Sequence, residues 1–176
     1  MQLKPGSPAP ELVLQLVGGQ SWSLADERPE AATMIVVYRG YHCPICADYL
    51  SDLHALLPKF TAAGLSVIAV SMDPSDRAEK AKAEWDLPDL KIAYGMSETT
   101  ALSWGLWLSQ SVKENELDVF PEPGLFWIRP DGTLYLIDVA TMPFVRPDLD
   151  TLAKYANLIE TYPVRGTHKT GELLLE

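Results

Sequence analysis

The sequence predicts an α/β fold: one mixed central sheet, largely parallel, with helices on both faces. Three observations carry this. Thr33–Tyr38 and Leu65–Met72 are continuous apolar, β-branched runs, the pattern of strands buried on both faces. Between them, Leu50, Leu53, Leu56, Leu57 and Phe60 recur at helical spacing, so the two runs are joined by an amphipathic helix. Such a crossover makes the strands parallel neighbours. Later, Leu125–Ile128 and Thr133–Asp138 flank the turn Arg129–Gly132, an antiparallel hairpin that makes the sheet mixed.

The remaining elements follow in chain order. Ser21–Leu24, after Gly18-Gly19, reads as a short edge strand or the turn of a leading hairpin. The helix begins at about Pro44, is expected to break or kink near Pro58, and stops at Gly64. Asp73-Pro74-Ser75 is expected to cap a helix running to about Trp85. Lys91–Tyr94 is a weaker strand and Glu98–Gly105 a short helix. Residues 107–122 read as irregular and acidic. Asp148 caps a last helix whose Leu149, Leu152, Tyr155, Ala156 and Ile159 share a face.

The chain has 176 residues, about the length of one domain. Residues 1–162 are expected to form it, with 163–176 a C-terminal tail. Hydrophobic residues make up 47% and charged residues 22%, which excludes disordered and fibrous classes. The net charge is −10, so nothing draws the chain to phosphate backbones or anionic lipid, and neither nucleic acid nor membrane is an expected partner. The N-terminus lacks an apolar signal core and no run is long enough to span a bilayer. A cytoplasmic protein is the expectation.

Two cysteines occur, Cys43 and Cys46, in the run His42-Cys43-Pro44-Ile45-Cys46. A disulfide across so small a loop restrains the unfolded chain little and makes a poor staple. Three readings compete: a redox dithiol, part of a metal site, or two buried thiols without a role. A structural zinc wants four nitrogen or sulfur ligands. His42 and His54 could join the pair, but no second CxxC exists. The redox reading is preferred because a buried strand leads through a short turn into a helix start. There, free N–H groups and the macrodipole favour a thiolate at Cys43. Pro44 suits the first helical position. Cys46, one turn inside the helix, is the natural resolver of a mixed disulfide formed at Cys43.

The run from Val37 to Cys46 resembles the cysteine motif of the redoxin, or AhpC/TSA-like, branch of the thioredoxin superfamily. So do Pro5–Pro10 with Leu12 and Leu14, the run Val67–Asp73, and Pro123–Gly132, which together reach across residues 5–160. The resemblance implies a thioredoxin-like three-layer fold with an N-terminal β extension. Peroxiredoxins in this branch carry Pro-x-x-x-Thr/Ser-x-x-Cys. Counted back from Cys46 this chain has Cys43 at the Thr place and Arg39 at the Pro place; counted back from Cys43 it has Gly40 and Val36. Neither register fits. The family's Arg-x-x-Phe before the hairpin strand is here Pro123-Gly124-Leu125-Phe126. Proline at that place is what thioredoxin-like dithiol proteins carry, usually as a cis-proline. The resemblance therefore implies a cis bond before Pro123, with the Glu122 carbonyl and N–H beside Cys43 and free to pair with an extended substrate.

The expected function is a thiol–disulfide oxidoreductase in which Cys43 attacks and Cys46 resolves. The alternative is a peroxiredoxin-like, antioxidant thiol peroxidase, in which one cysteine becomes a sulfenic acid and the other condenses with it. A second alternative is a redox-regulated binding module. The supporting residues are Arg39, the candidate substitute for the family arginine; His42, whose cationic or hydrogen-bonding imidazole could stabilise the thiolate; Tyr41, a surface aromatic at a docking site; and Pro44, Glu122 and Pro123. No phosphate-binding loop or dinucleotide fingerprint appears, so no metal, flavin or nicotinamide is expected. Electrons would come from a thiol reductant of thioredoxin or glutathione type, and the substrate would be a disulfide or a hydroperoxide. The aromatic stretch 102–108 reads as core, or as an exposed patch for a homodimer contact or docking. The acidic stretch beside it is a solvated loop or a specificity element.

Overall fold

The computed structural model describes residues 3–166. Its main sheet is built around β3 (Ala32–Val37), every residue of which is buried. Met34 and Val36 point into one apolar cluster and Ile35 and Val37 into another, so covering both faces is what made this run continuously apolar. On one side β3 pairs in parallel with β4 (Leu65–Val70), which pairs in parallel with β5 (Lys91–Tyr94). On the other side it pairs antiparallel with β8 (Gly124–Ile128), followed by β9 (Leu134–Val139). The leading hairpin, β1 (Val13–Leu16) and β2 (Ser21–Ser23), adds to the free edge of β5. The seven strands lie in the order β2-β1-β5-β4-β3-β8-β9.

Helix α1 (Pro44–Ala62) lays Leu50, Leu53 and Phe60 on the Met34 face, each contributing about 1.5–3 kcal/mol by burial. Helices α2 (Ser75–Glu84) and α4 (Leu149–Tyr155) join the same face through Ala78 and Leu149. Helix α3 (Glu98–Ser103), with Trp104, covers the opposite face together with Leu12, Leu14 and Trp22 of the N-terminal arm. The arm is tied to the β8–β9 turn by Ala9 N–H to Gly132 O (2.9 Å).

Four expectations change. Helix α1 runs unbroken through Pro58, which lies on its exposed side. Asp73 does not cap α2. Pro74 holds the cap position without a side-chain bond, and the Asp73 carboxylate turns inward. The stretch 107–122 is not irregular: β6 (Leu108–Gln110) and β7 (Val119–Pro121) form a separate two-stranded hairpin. The aromatic stretch divides between the two readings offered for it. Trp104 and Leu106 are core, while Leu102 and Trp107 are exposed. The tail expected at 163–176 falls outside the described residues from 167 onward.

Candidate active site

The dithiol sits where β3 ends and α1 begins, at the carboxyl end of a central strand, the usual place for a site in an open α/β sheet. Gly40 makes the turn. It has φ +130°, and a Cβ there would lie 2.8 Å from Asp73 Oδ1. The buried Asp73 carboxylate holds this turn from below. Its Oδ2 accepts the Tyr41 N–H (2.7 Å) and its Oδ1 accepts Arg77 Nε (3.0 Å).

Cys43 is the N-cap of α1 and Pro44 its first residue. The Cys43 sulfur accepts the backbone N–H of Cys46 at 3.3 Å. A hydrogen bond from the Cys46 thiol is the main cause that lowers the Cys43 thiol to about 6; the backbone bond and the charges of Arg146 and Arg39 add to it, against the opposing effect of burial. Burial pushes the Cys46 thiol well up, and proximity to Cys43 pushes it further. The two shifts are opposite, so Cys43 is the thiol that ionises first. Both thiols are free, and both are buried, Cys43 at 2% and Cys46 at 0% exposure.

Arg146 was not legible in the sequence. It reaches the pair from the segment after β9, where Nη2 donates to Cys46 Sγ at 3.0 Å. Its guanidinium lies over the Tyr49 ring (4.8 Å), and the Tyr49 hydroxyl donates to Pro147 O (2.9 Å), anchoring the segment to α1. Arg146 Nε and Nη1 are buried with no partner among the described residues.

The β6–β7 hairpin covers the other side of the cysteine turn. Arg39 Nε lies 3.3 Å from Glu122 Oε1, in an ion pair without hydrogen-bond alignment, and its guanidinium sits over Phe120 (4.6 Å). The same Glu122 oxygen accepts Ser109 Oγ at 2.6 Å. Arg77 Nη2 donates to Asn115 O (2.9 Å). His42 packs edge-on against Phe120 with ring centroids 4.7 Å apart. Burial, then the Arg39 charge, lowers its imidazole to about 4, so His42 is neutral at pH 7 and supplies no cationic support. Among the described residues its ring nitrogens contact only Arg77, at 3.5 Å. Tyr41 stacks on Trp85 and its hydroxyl donates to Glu84 Oε2, which holds the half-exposed ring as a wall of the turn.

Two implications of the resemblance fail here. No cis peptide bond occurs among the described residues, so the bond before Pro123 is trans. The Glu122 N–H is not free either: it donates to Trp107 O at 2.8 Å. The β6–β7 hairpin thus brings a backbone partner for Glu122 from within the chain.

The AhpC/TSA family profile matches residues 5–137. The chain belongs to the AhpC/TSA family. It is a peroxiredoxin-like redoxin of the thioredoxin superfamily, and so an oxidoreductase. Among solved structures it is similar to a peroxiredoxin-like protein from Aquifex aeolicus (TM-score 0.75, 16% identity, covering 90% of this chain and 89% of that one). It is also similar to peroxidoxin BcpB of Mycobacterium tuberculosis (0.70, 16%, 90% and 96%). A third is AhpC of the same organism (0.73, 11%, 90% and 94%). At these identities the likeness is one of fold. No curated protein matches the sequence. Within this AhpC/TSA chain, no helix of the described residues is long and apolar enough to cross a membrane.

Proposed function

We propose that this AhpC/TSA chain is a dithiol peroxidase that reduces small hydroperoxides. The observation that carries the reading is the Arg146 guanidinium set against the dithiol. Its Nη2 donates to Cys46 Sγ at 3.0 Å, and its Nε and Nη1 are buried with no partner among the described residues. A departing hydroxide or alkoxide gains from such donors, whereas thiol–disulfide exchange asks only for a low-pKa thiol and a resolver.

The Cys43 thiolate attacks the terminal peroxide oxygen. The O–O bond breaks, Cys43 becomes a sulfenic acid, and the departing alkoxide or hydroxide takes a proton. Donors preset around a developing anion lower such a barrier, and Arg146 holds two N–H-bearing nitrogens next to the pair that have no partner among the described residues. Cys46 then attacks the sulfenic sulfur, its proton leaves with the hydroxyl as water, and the Cys43–Cys46 disulfide forms. Thiol–disulfide exchange, the other redox reading, becomes the return half of the cycle, in which an outside thiol restores the pair.

The test is stopped-flow tryptophan fluorescence of the reduced protein mixed with hydrogen peroxide or an organic hydroperoxide. The chain has five tryptophans. A fast second-order change, lost in Cys43→Ser and converted to an accumulating sulfenic acid in Cys46→Ser, is the expected result. Oxidation no faster than that of an ordinary free thiol overturns it.

A further inference from the structure

A disulfide formed at Cys43–Cys46 must receive two electrons from outside, and the β6–β7 hairpin packs against one side of the turn, with Phe120 on His42 and Arg39. We propose that the open groove on the opposite side, between the first turns of α1 and the segment around Phe144, docks the protein dithiol that reduces the pair. We further propose that this partner presents an apolar anchor within a cationic rim. The proposal rests on the dithiol reading above and adds the partner's chemistry.

The groove holds about 580 Å³ and is lined by Ile45, Asp48, Asp52, Phe144, Arg146 and Asp150, among others. Ile45, on the turn that carries both sulfurs, is 41% exposed, and Phe144 is 70% exposed. Met142 and Val145 are exposed beside Phe144. A cluster of large apolar side chains held in water next to a reactive centre is the signature of a contact surface. The rim is acidic. Asp48 and Asp52 face solvent one helical turn apart and enter no ion pair among the described residues, while Asp150 is met only by the exposed Lys59 (3.3 Å).

At the inner end stands the opposite charge, Arg146, bonded to Cys46 Sγ. Arg146 stands where the Cys46 thiolate leaves, and a partner whose cations meet the aspartates matches the rim in charge. A second copy of this chain does not. In a two-fold contact the same patch faces itself, so aspartate would oppose aspartate between two chains of charge −10.

The exchange balances. The partner thiolate attacks Cys43 Sγ, the Cys43–Cys46 bond breaks, and Cys46 leaves as a thiolate next to Arg146 Nη2, then takes a proton. The partner's second thiolate attacks its own sulfur in the mixed disulfide and releases the Cys43 thiolate. The partner loses two electrons and becomes a disulfide; the chain gains them.

The test uses the full chain oxidised with diamide, which makes the disulfide whether or not the protein is a peroxidase. Slow peroxide turnover therefore counts against the function proposed above and not against the docking face. Reduction rates are measured with two synthetic Cys-Gly-Pro-Cys peptides that share a leucine anchor, one flanked by lysines and one by glutamates. Dithiothreitol is the control. The lysine peptide is expected to react at least about tenfold faster at low ionic strength, with the gap closing in high salt as the Debye length shrinks to a few ångströms. Asp48→Asn with Asp52→Asn narrows the gap, and Phe144→Ser slows both peptides. Glu30→Gln with Glu98→Gln, an equal charge change elsewhere, leaves the gap intact, and dithiothreitol rates stay level throughout. Equal peptide rates, an unchanged gap in the Asp48/Asp52 variant, or an equal narrowing in the Glu30/Glu98 variant overturns the proposal. So does a wild-type dimer in sedimentation that Phe144→Ser dissolves, which assigns the patch to self-association.

Discussion

Arg146 and Cys46 stand 100 residues apart in the chain, yet Nη2 of the one lies 3.0 Å from the sulfur of the other. The bond places a fixed positive charge against a buried dithiol that must pass through a thiolate. In Arg146→Met, thiolate formation at the pair loses a charge-assisted donor, an interaction of about 1.5–3 kcal/mol. The rate with peroxide is expected to fall about tenfold to a hundredfold, and the pH midpoint of iodoacetamide alkylation to move up. Arg146→Lys recovers part of the midpoint shift. A loss of rate with an unmoved midpoint would reduce Arg146 to a packing role.

The Cys43 thiol, lowered to about 6 by its bonds from Cys46, sets a pH profile. The reactive form is the deprotonated one, so the peroxide rate rises with pH through about 6 and is flat by neutrality. An unperturbed thiol, near 9, would still be climbing there. Rapid-mixing rates between pH 5 and 9 decide the matter, and a midpoint near 8.5 would contradict the geometry described.

His42 predicts an acid-side loss of stability. Its folded-state value is depressed from 6.5 to about 4. The unfolded chain therefore binds the extra proton first as pH falls. The contribution of the buried neutral ring is full above about 6.5 and is lost progressively as pH falls toward 4. His42→Gln should flatten the urea midpoint between these pH values relative to wild type. Parallel curves for the two proteins would remove His42 from the account.

The cysteine turn depends on Gly40 and Asp73 together. Asp73→Ala leaves the Tyr41 N–H and Arg77 without their acceptor, at a cost of about 2–3 kcal/mol. Gly40→Ala drives a methyl into that carboxylate from a positive-φ residue and should cost about as much. Urea unfolding measures both. In addition, each variant should slow peroxide oxidation, because the turn orients Cys43. Wild-type stability in Gly40→Ala would show that the turn relaxes freely.

By itself the sequence determined whatever depends on neighbours along the chain. The double-faced burial of β3 and β4 follows from unbroken runs such as Thr33–Val37. The amphipathic spacing of Leu50, Leu53 and Phe60 made α1, and the turn at Arg129–Gly132 made the β8–β9 hairpin. Cys43 at a helix start with Pro44 behind it was equally legible, because a cap is a local event. The tertiary structure decided the rest. Glu114, Glu116 and Asp118 masked the hairpin in 107–122, since a two-stranded sheet with one face on the cysteine turn has too short a pattern to register against its charge. Asp73 looked like a cap and became a buried anchor because its partners, Tyr41 and Arg77, meet only when β3, β4 and α2 are assembled. No local signal marked Arg146, whose bond to Cys46 exists only once the segment after β9 folds back onto α1. Local periodicity reports which face of an element is buried; which charge stands beside which thiol is set by contacts between distant parts of the chain.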